Sequence, residues 1–180
     1  MRVIAGGLRG RRLKAPAGTV TRPTSDRVRE ALFSMLGPIA ETRVLDLFAG
    51  TGALGIEALS RGAQRALLVE RDAHAIAVIK ANLSALGIAG EQAQVMHADV
   101  LEALGTARDR HETYDLVFID PPYRQAREYA QTLPAALQPL LAAPARVVVE
   151  SDRRDPLELE LPLQRERRYG DTLIRIHSPS

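Results

Sequence analysis

The stretch Val44-Leu45-Asp46-Leu47-Phe48-Ala49-Gly50-Thr51-Gly52-Ala53-Leu54-Gly55 constrains this chain more than any other. Its apolar start predicts a buried strand, its glycines a tight turn, and the following Ile56-Glu57-Ala58-Leu59 the helix that the turn opens. Strand, Gly-rich loop and helix in that order form a ligand cradle at the carboxyl edge of a parallel sheet, so an α/β, Rossmann-like fold is expected. Gly50, Gly52 and Gly55 match the dinucleotide-binding spacing, a weak signal alone. No Lys-Ser or Lys-Thr follows the glycines, which excludes a Walker-type phosphate loop.

Asp46 sharpens the choice of ligand. It stands four residues before Gly50, where the strand ends and a ligand would sit. A dinucleotide brings an anionic pyrophosphate to the helix N-terminus, and a carboxylate there repels it. S-adenosylmethionine carries a sulfonium and an ammonium instead, which the acid attracts. Asp46 can also cap the loop by accepting its backbone N–H groups, and the two roles are compatible. Ala66-Leu67-Leu68-Val69 predicts the second strand, with Glu70 at its end, twenty residues beyond Gly50. An acid at that position accepts hydrogen bonds from both hydroxyls of an adenosine ribose, or else caps the next helix. That helix is expected over 73–86, stopped by Gly87. Gln94 to Ala98 predicts the third strand, ending in Asp99-Val100, where Asp99 can accept the adenine amino group. Three acids thus follow three successive apolar strands.

Tyr114-Asp115-Leu116-Val117-Phe118-Ile119 is almost wholly apolar, as a central parallel strand should be, and it delivers Asp120-Pro121-Pro122-Tyr123. Two consecutive prolines lack backbone N–H groups and hold a stiff loop with free carbonyls. Asp120 and the Pro121 carbonyl can each accept an N–H from a planar exocyclic amine, while the Tyr123 ring lies on the base. Such bonds position the amine for attack on a sulfonium methyl without a strong base. A plain Pro-rich turn is the alternative for Pro-Pro alone.

At 180 residues with 46% hydrophobic content, the chain suits one domain. No apolar run approaches the ~20 residues of a membrane span, and the N-terminus lacks a signal-peptide core, so a cytoplasmic location is expected. There is no cysteine, and the four histidines show no metal-ligand spacing, so no metal is expected. The net charge of +2 divides unevenly: residues 1–30 carry eight basic side chains against two acidic ones, while the remaining 150 carry 16 against 20. One basic end points to an anionic polymer.

Residues 1–23 are expected to form a basic RNA-binding arm or hairpin ahead of a catalytic domain over 24–180. Gly-flanked arginines let the backbone approach a phosphate chain while guanidinium groups fork onto its oxygens; a solvated basic face is the alternative. The candidate RNA contacts are Arg2, Arg9, Arg11, Arg12, Lys14, Arg22, Arg27 and Arg29. Pro23-Thr24-Ser25-Asp26 predicts a helix start, with Val28, Ala31, Leu32, Met35 and Leu36 facing inward, Arg27 and Arg29 outside, and Gly37-Pro38 as the stop. Toward the C-terminus a helix is expected over 128–141, a fifth strand over 146–150, and a hairpin pairing 165–169 with 172–177 across Gly170-Asp171. The charged segment 105–113 suggests no role.

With these pieces placed, the chain resembles a class I S-adenosylmethionine-dependent methyltransferase of the exocyclic-amine type, and more closely the RsmD family of bacterial 16S rRNA guanine-N2 methyltransferases. The resemblance runs through Arg2-Val3-Ile4-Ala5-Gly6, the stretch from Arg22 to Phe33, Asp46 to Gly52, Glu57 to Ala63, and Asp120-Pro121-Pro122-Tyr123. It implies a seven-stranded, mostly parallel sheet with a reversed last strand and helices on both faces. It implies that Asp46, Gly50, Gly52, Glu70 and Asp99 hold S-adenosylmethionine, with Phe48, Ala49, Arg71 and Val100 beside them as further cofactor-binding candidates. Asp120, Pro121, Pro122 and Tyr123 are the catalytic candidates facing the guanine. The substrate is expected to be 16S rRNA in a partly assembled 30S subunit, and the enzyme a monomer. The competing readings are an amine methyltransferase acting on DNA adenine or cytosine or on another RNA, and a non-catalytic RNA-binding protein that keeps the fold.

Overall fold

The computed structural model describes residues 1–15, 25–122 and 126–179. Seven strands form one sheet in the order β3-β2-β1-β4-β5-β7-β6. β1 (Arg43–Asp46) lies between β2 (Arg65–Glu70) and β4 (Tyr114–Ile119), parallel to both. β3 (Ala93–His97) and β5 (Leu141–Asp152) extend the parallel set, and β7 (Thr172–His177) runs antiparallel to β5 and to β6 (Leu163–Tyr169). The expected class I methyltransferase topology, with its reversed last strand, is therefore present.

Helices cover both faces. Along one, α4 (Val100–Asp109) and α5 (Ala126–Leu137) pack on Leu45, Val69, Val117 and Val149. Along the other, α1 (Asp26–Leu36), α2 (Ala53–Ser60) and α3 (Ala73–Leu86) cover Val44, Leu68, Phe118 and Val148. Between their charged ends the central strands are mainly apolar, because both faces are buried. Among the described residues, no helix is long and apolar enough to cross a membrane.

Several expectations need correction. The charged segment 105–113 mostly continues α4, whose Val100, Ala103, Leu104 and Ala107 recur at helical spacing and are buried. The helix expected over 128–141 ends at Leu137, where a 3-10 turn (Gln138–Leu140) carrying Pro139 takes over, and β5 then runs well beyond 146–150 at both ends. Residues 1–15, for which an arm or hairpin is expected, fold back on themselves and dock: Arg2 and Arg12 form an antiparallel bridge, and Val3 and Leu13 join Ile56, Leu68, Ile79 and Leu83 in a shared core.

Candidate active site

The loop after β1 is threaded between its neighbours by the sheet itself. Leu47 N–H donates to the Phe118 carbonyl at 3.1 Å and Ala49 N–H to the Val69 carbonyl at 3.0 Å, so the loop sits between the carboxyl ends of β4 and β2. Gly50 and Gly52 then turn the chain with φ of +55° and +78°, a left-handed pair that any side chain would disfavour, and Gly52 becomes the N-cap of α2.

Asp46 is 2% exposed, and its Oδ2 accepts the Gly55 N–H at 3.1 Å. Burial pushes its carboxyl up to about 7, with the Gly55 and Phe48 N–H groups pulling it down and Glu70 adding repulsion. Capping of the loop is thus real, yet this acid remains poorly solvated and short of positive partners. Glu70 accepts the Gly50 N–H at 2.9 Å on Oε2, and those of Arg71 and Asp72 at 2.8 and 2.9 Å on Oε1. Oε1 is thereby filled, and Oε2 keeps a lone pair for a hydroxyl. Arg71 is exposed. Asp99 caps α4 by accepting the Leu101 N–H at 3.0 Å, and Val100 is buried behind it.

Two residues that the sequence did not single out complete the edge. Tyr129, from α5, stands edge-on to Phe48 with ring centroids 5.1 Å apart and donates its hydroxyl to Asp99 Oδ2 at 3.3 Å. An aromatic wall therefore joins the glycine loop to Asp99; a lone tyrosine on a helix carries no sequence signal for this. Glu150 ends the apolar run of β5, and the register Ile119↔Val149 sets it beside Asp120. The pattern of an acid after an apolar strand was visible there as elsewhere.

Asp120 lies one step beyond β4, half-buried, with Pro121 buried and Pro122 exposed. Burial first, then the charges of Glu150 and Asp46, drive its carboxyl well above the usual range. Asp120, Asp46 and Glu70 therefore share one sheet edge. Tyr123 and Arg22 lie outside the described residues.

Of the other candidate RNA contacts, Arg2, Arg9, Arg11, Arg12, Lys14 and Arg27 are at least partly exposed. Arg2 pairs with Asp26 at 3.5 Å, and Arg11 Nη2 donates to the Ala85 carbonyl at 2.9 Å. Arg29 is the exception: expected outside, it is fully buried. It donates to the Arg2 carbonyl and to Asp26 and lies 3.7 Å from Glu57, tying α1 to the arm from within.

A family model described as "Conserved hypothetical protein 95" matches residues 1–178. YlbH of Bacillus subtilis is 42% identical over 98% of both chains. Ribosomal RNA small subunit methyltransferase D of Escherichia coli K12 is 44% identical over 126 residues, 69% of this chain and 61% of that protein. A solved structure of a hypothetical protein from Thermus thermophilus superposes with a TM-score of 0.84 at 34% identity, covering 98% of each chain.

Proposed function

Because the chain belongs to the family described as Conserved hypothetical protein 95, we propose that it methylates the exocyclic N2 amine of a guanine in 16S rRNA, using S-adenosylmethionine. The observation that carries this reading is the placement of Asp46, Glu70 and Asp120 along one edge of adjacent parallel strands. The names of similar proteins support ribosomal RNA of the small subunit as the substrate class. The docked arm, with Arg9, Arg12 and Lys14 exposed, provides a positive surface for phosphates. Action as a monomer, in the cytoplasm and on a partly assembled 30S particle, belongs to the same proposal.

The donor set fits the cofactor. Glu70 retains a lone pair on Oε2 for a ribose hydroxyl, buried Asp46 offers a charge that a cation would relieve, and Phe48 with Tyr129 supplies a flat apolar wall. When bound, S-adenosylmethionine would supply an electrophilic methyl, the guanine nitrogen gaining the N–C bond and the electrons of the S–C bond staying on sulfur. Asp120 accepts one N–H of the guanine amine and the Pro121 carbonyl the other, which fixes the nitrogen lone pair in line. A carboxyl with raised proton affinity also suits removal of the proton that the methylated amine sheds.

Labelled methyl transfer to 30S particles from cells lacking the enzyme tests the proposal, with N2-methylguanosine expected in the nucleoside digest. A digest containing only methyladenosine would refute the base assignment. In the same assay Asp120→Ala should lower the rate by about 10³-fold or more and leave cofactor affinity nearly intact. A large loss of cofactor binding would move Asp120 to the other subsite.

A further inference from the structure

The basic arm is fastened at two points, to α2 and to α3, and the second point also reaches the glycine loop. Its first half is held by Glu57 of α2, whose carboxylate accepts the Ile4 and Ala5 N–H groups at 2.7 and 3.0 Å. The turn that follows packs directly on the end of α2. Gly7 N–H donates to the Ser60 carbonyl at 2.8 Å, and a Cβ on Gly6 would stand 1.7 Å from that oxygen. The far end of the arm is held by Asn82 of α3, a 2% exposed side chain on an otherwise apolar face between Ile79 and Leu83. Asn82 Oδ1 accepts the Lys14 N–H at 2.8 Å, and its Nδ2 donates to the Lys14 carbonyl at 3.1 Å, so one carboxamide pairs with the arm as a neighbouring strand would. The second Nδ2 hydrogen donates to the carbonyl of Thr51, between Gly50 and Gly52, at 3.1 Å. Three of the four bonds available to an Asn amide are made, and both donors are used.

We propose that Asn82 is a positioning residue coupling the two substrates: by holding Lys14 and Thr51 in one geometry, it makes RNA on the arm and the nucleoside on the glycine loop tighten each other's binding. The inference rests on the proposed function for the identity of the two ligands. The two states are an arm latched to Asn82 and an arm released from it. Release breaks two hydrogen bonds at an exposed segment, an opening of the low-energy kind that surface segments undergo. In the released state the buried amide loses the partners that orient it, and the Thr51 carbonyl loses its fixed donor. RNA bound along the latched arm therefore pre-orders the glycine loop, and a nucleoside on that loop pre-orders the arm. Each ligand removes part of the ordering entropy the other would otherwise meet, and the effect is reciprocal by linkage.

Equilibrium dialysis of labelled S-adenosylhomocysteine against the full-length protein, with and without 30S particles from cells lacking the enzyme, measures the coupling. The wild type should bind the nucleoside about tenfold more tightly when particles are present. In Asn82→Ala that ratio should fall to within about twofold of unity. Should this variant fail to fold, Lys14→Pro decides the matter, since it deletes the latch N–H at an exposed position and removes no buried side chain. Lys14→Ala keeps that N–H and should keep the tenfold ratio whatever it does to RNA affinity. A wild-type ratio near one, or a tenfold ratio surviving Lys14→Pro, overturns the inference while leaving the proposed function standing. Absence of any nucleoside or particle binding by the wild type would instead overturn the function itself.

Discussion

Asp46 and Glu57 are buried acids eleven residues apart on the same strand-loop-helix unit, and they are treated in opposite ways. Glu57 is surrounded by positive and donating groups: Arg61 Nε at 2.7 Å, Arg29 Nε at 3.7 Å, and two N–H groups of the arm. Asp46 receives backbone N–H groups from Gly55 and Phe48, and its charged neighbour is another acid, Glu70. Asp120, across the edge, likewise faces Glu150 and Asp46. A satisfied buried charge organises structure, whereas a buried charge left among like charges marks where a cation or a proton is meant to arrive. The contrast separates an acid that builds this protein from those that the proposed chemistry would use.

The largest effect should come from the satisfied acid. Removing one partner of a buried ion pair costs about 3–5 kcal/mol, and Glu57→Ala leaves Arg29 buried with Asp26 as its remaining acidic partner. At about 2–4 °C per kcal/mol for a chain of this size, the melting temperature should fall by roughly 6–20 °C. A melting temperature within about 2 °C of wild type would mean that the Glu57 cluster does not organise the fold.

Asp46→Asn should move stability the other way. The carboxamide still accepts the Gly55 N–H but has no charge to desolvate. The folded-state value of about 7 lies above the ordinary 3.8, so the folded protein binds this proton more tightly than the unfolded chain. The penalty of ionised Asp46 is absent below about pH 4, grows between about pH 4 and 7, and is complete above that. The variant should therefore melt higher than wild type at pH 8, with the gap closing by pH 4, and it should bind S-adenosylmethionine at least about tenfold more weakly. Unchanged melting at pH 8 would show that Asp46 is already compensated in the free protein, and the contrast with Glu57 would disappear.

The same contrast explains what the sequence could disclose. Asp46, Glu70 and Asp120 each follow an apolar run directly, a one-dimensional signal, and parallel register brings successive strand ends together without further information. Arg29 shares the helix face of Leu32, Phe33 and Leu36, a local signal, but what lets a guanidinium stay there includes Glu57 and the Arg2 carbonyl, which are remote in sequence. Asn82 reads as an interruption in the apolar stripe of α3; its meaning appears only when Lys14 and Thr51 arrive beside it. The helical spacing of Val100, Ala103, Leu104 and Ala107 is present in the sequence but diluted by Gly105 and the charges of the following turn. Local pattern thus reports strand ends well, whereas the partners of buried polar groups are set by tertiary contact.

The smallest expected effect tests the like-charge cluster most directly. Glu150 is the first charged neighbour that opposes ionisation of Asp120, and Asp46 the second, both acting on a carboxyl already raised by burial. If methyl transfer uses the ionised form of Asp120, then kcat/KM declines as pH falls through its raised value, above the range of an ordinary carboxylate. Glu150→Gln preserves shape and hydrogen-bonding capacity while deleting one negative charge. Asp120 then ionises more readily, and the acid limb of the pH–rate profile should move to lower pH while its plateau changes little. Removing a group whose role is only packing would scale the whole profile without displacing its limb. A limb that stays in place, or moves to higher pH, would show that Glu150 does not tune Asp120, and the edge would hold separate acids in place of one interacting set.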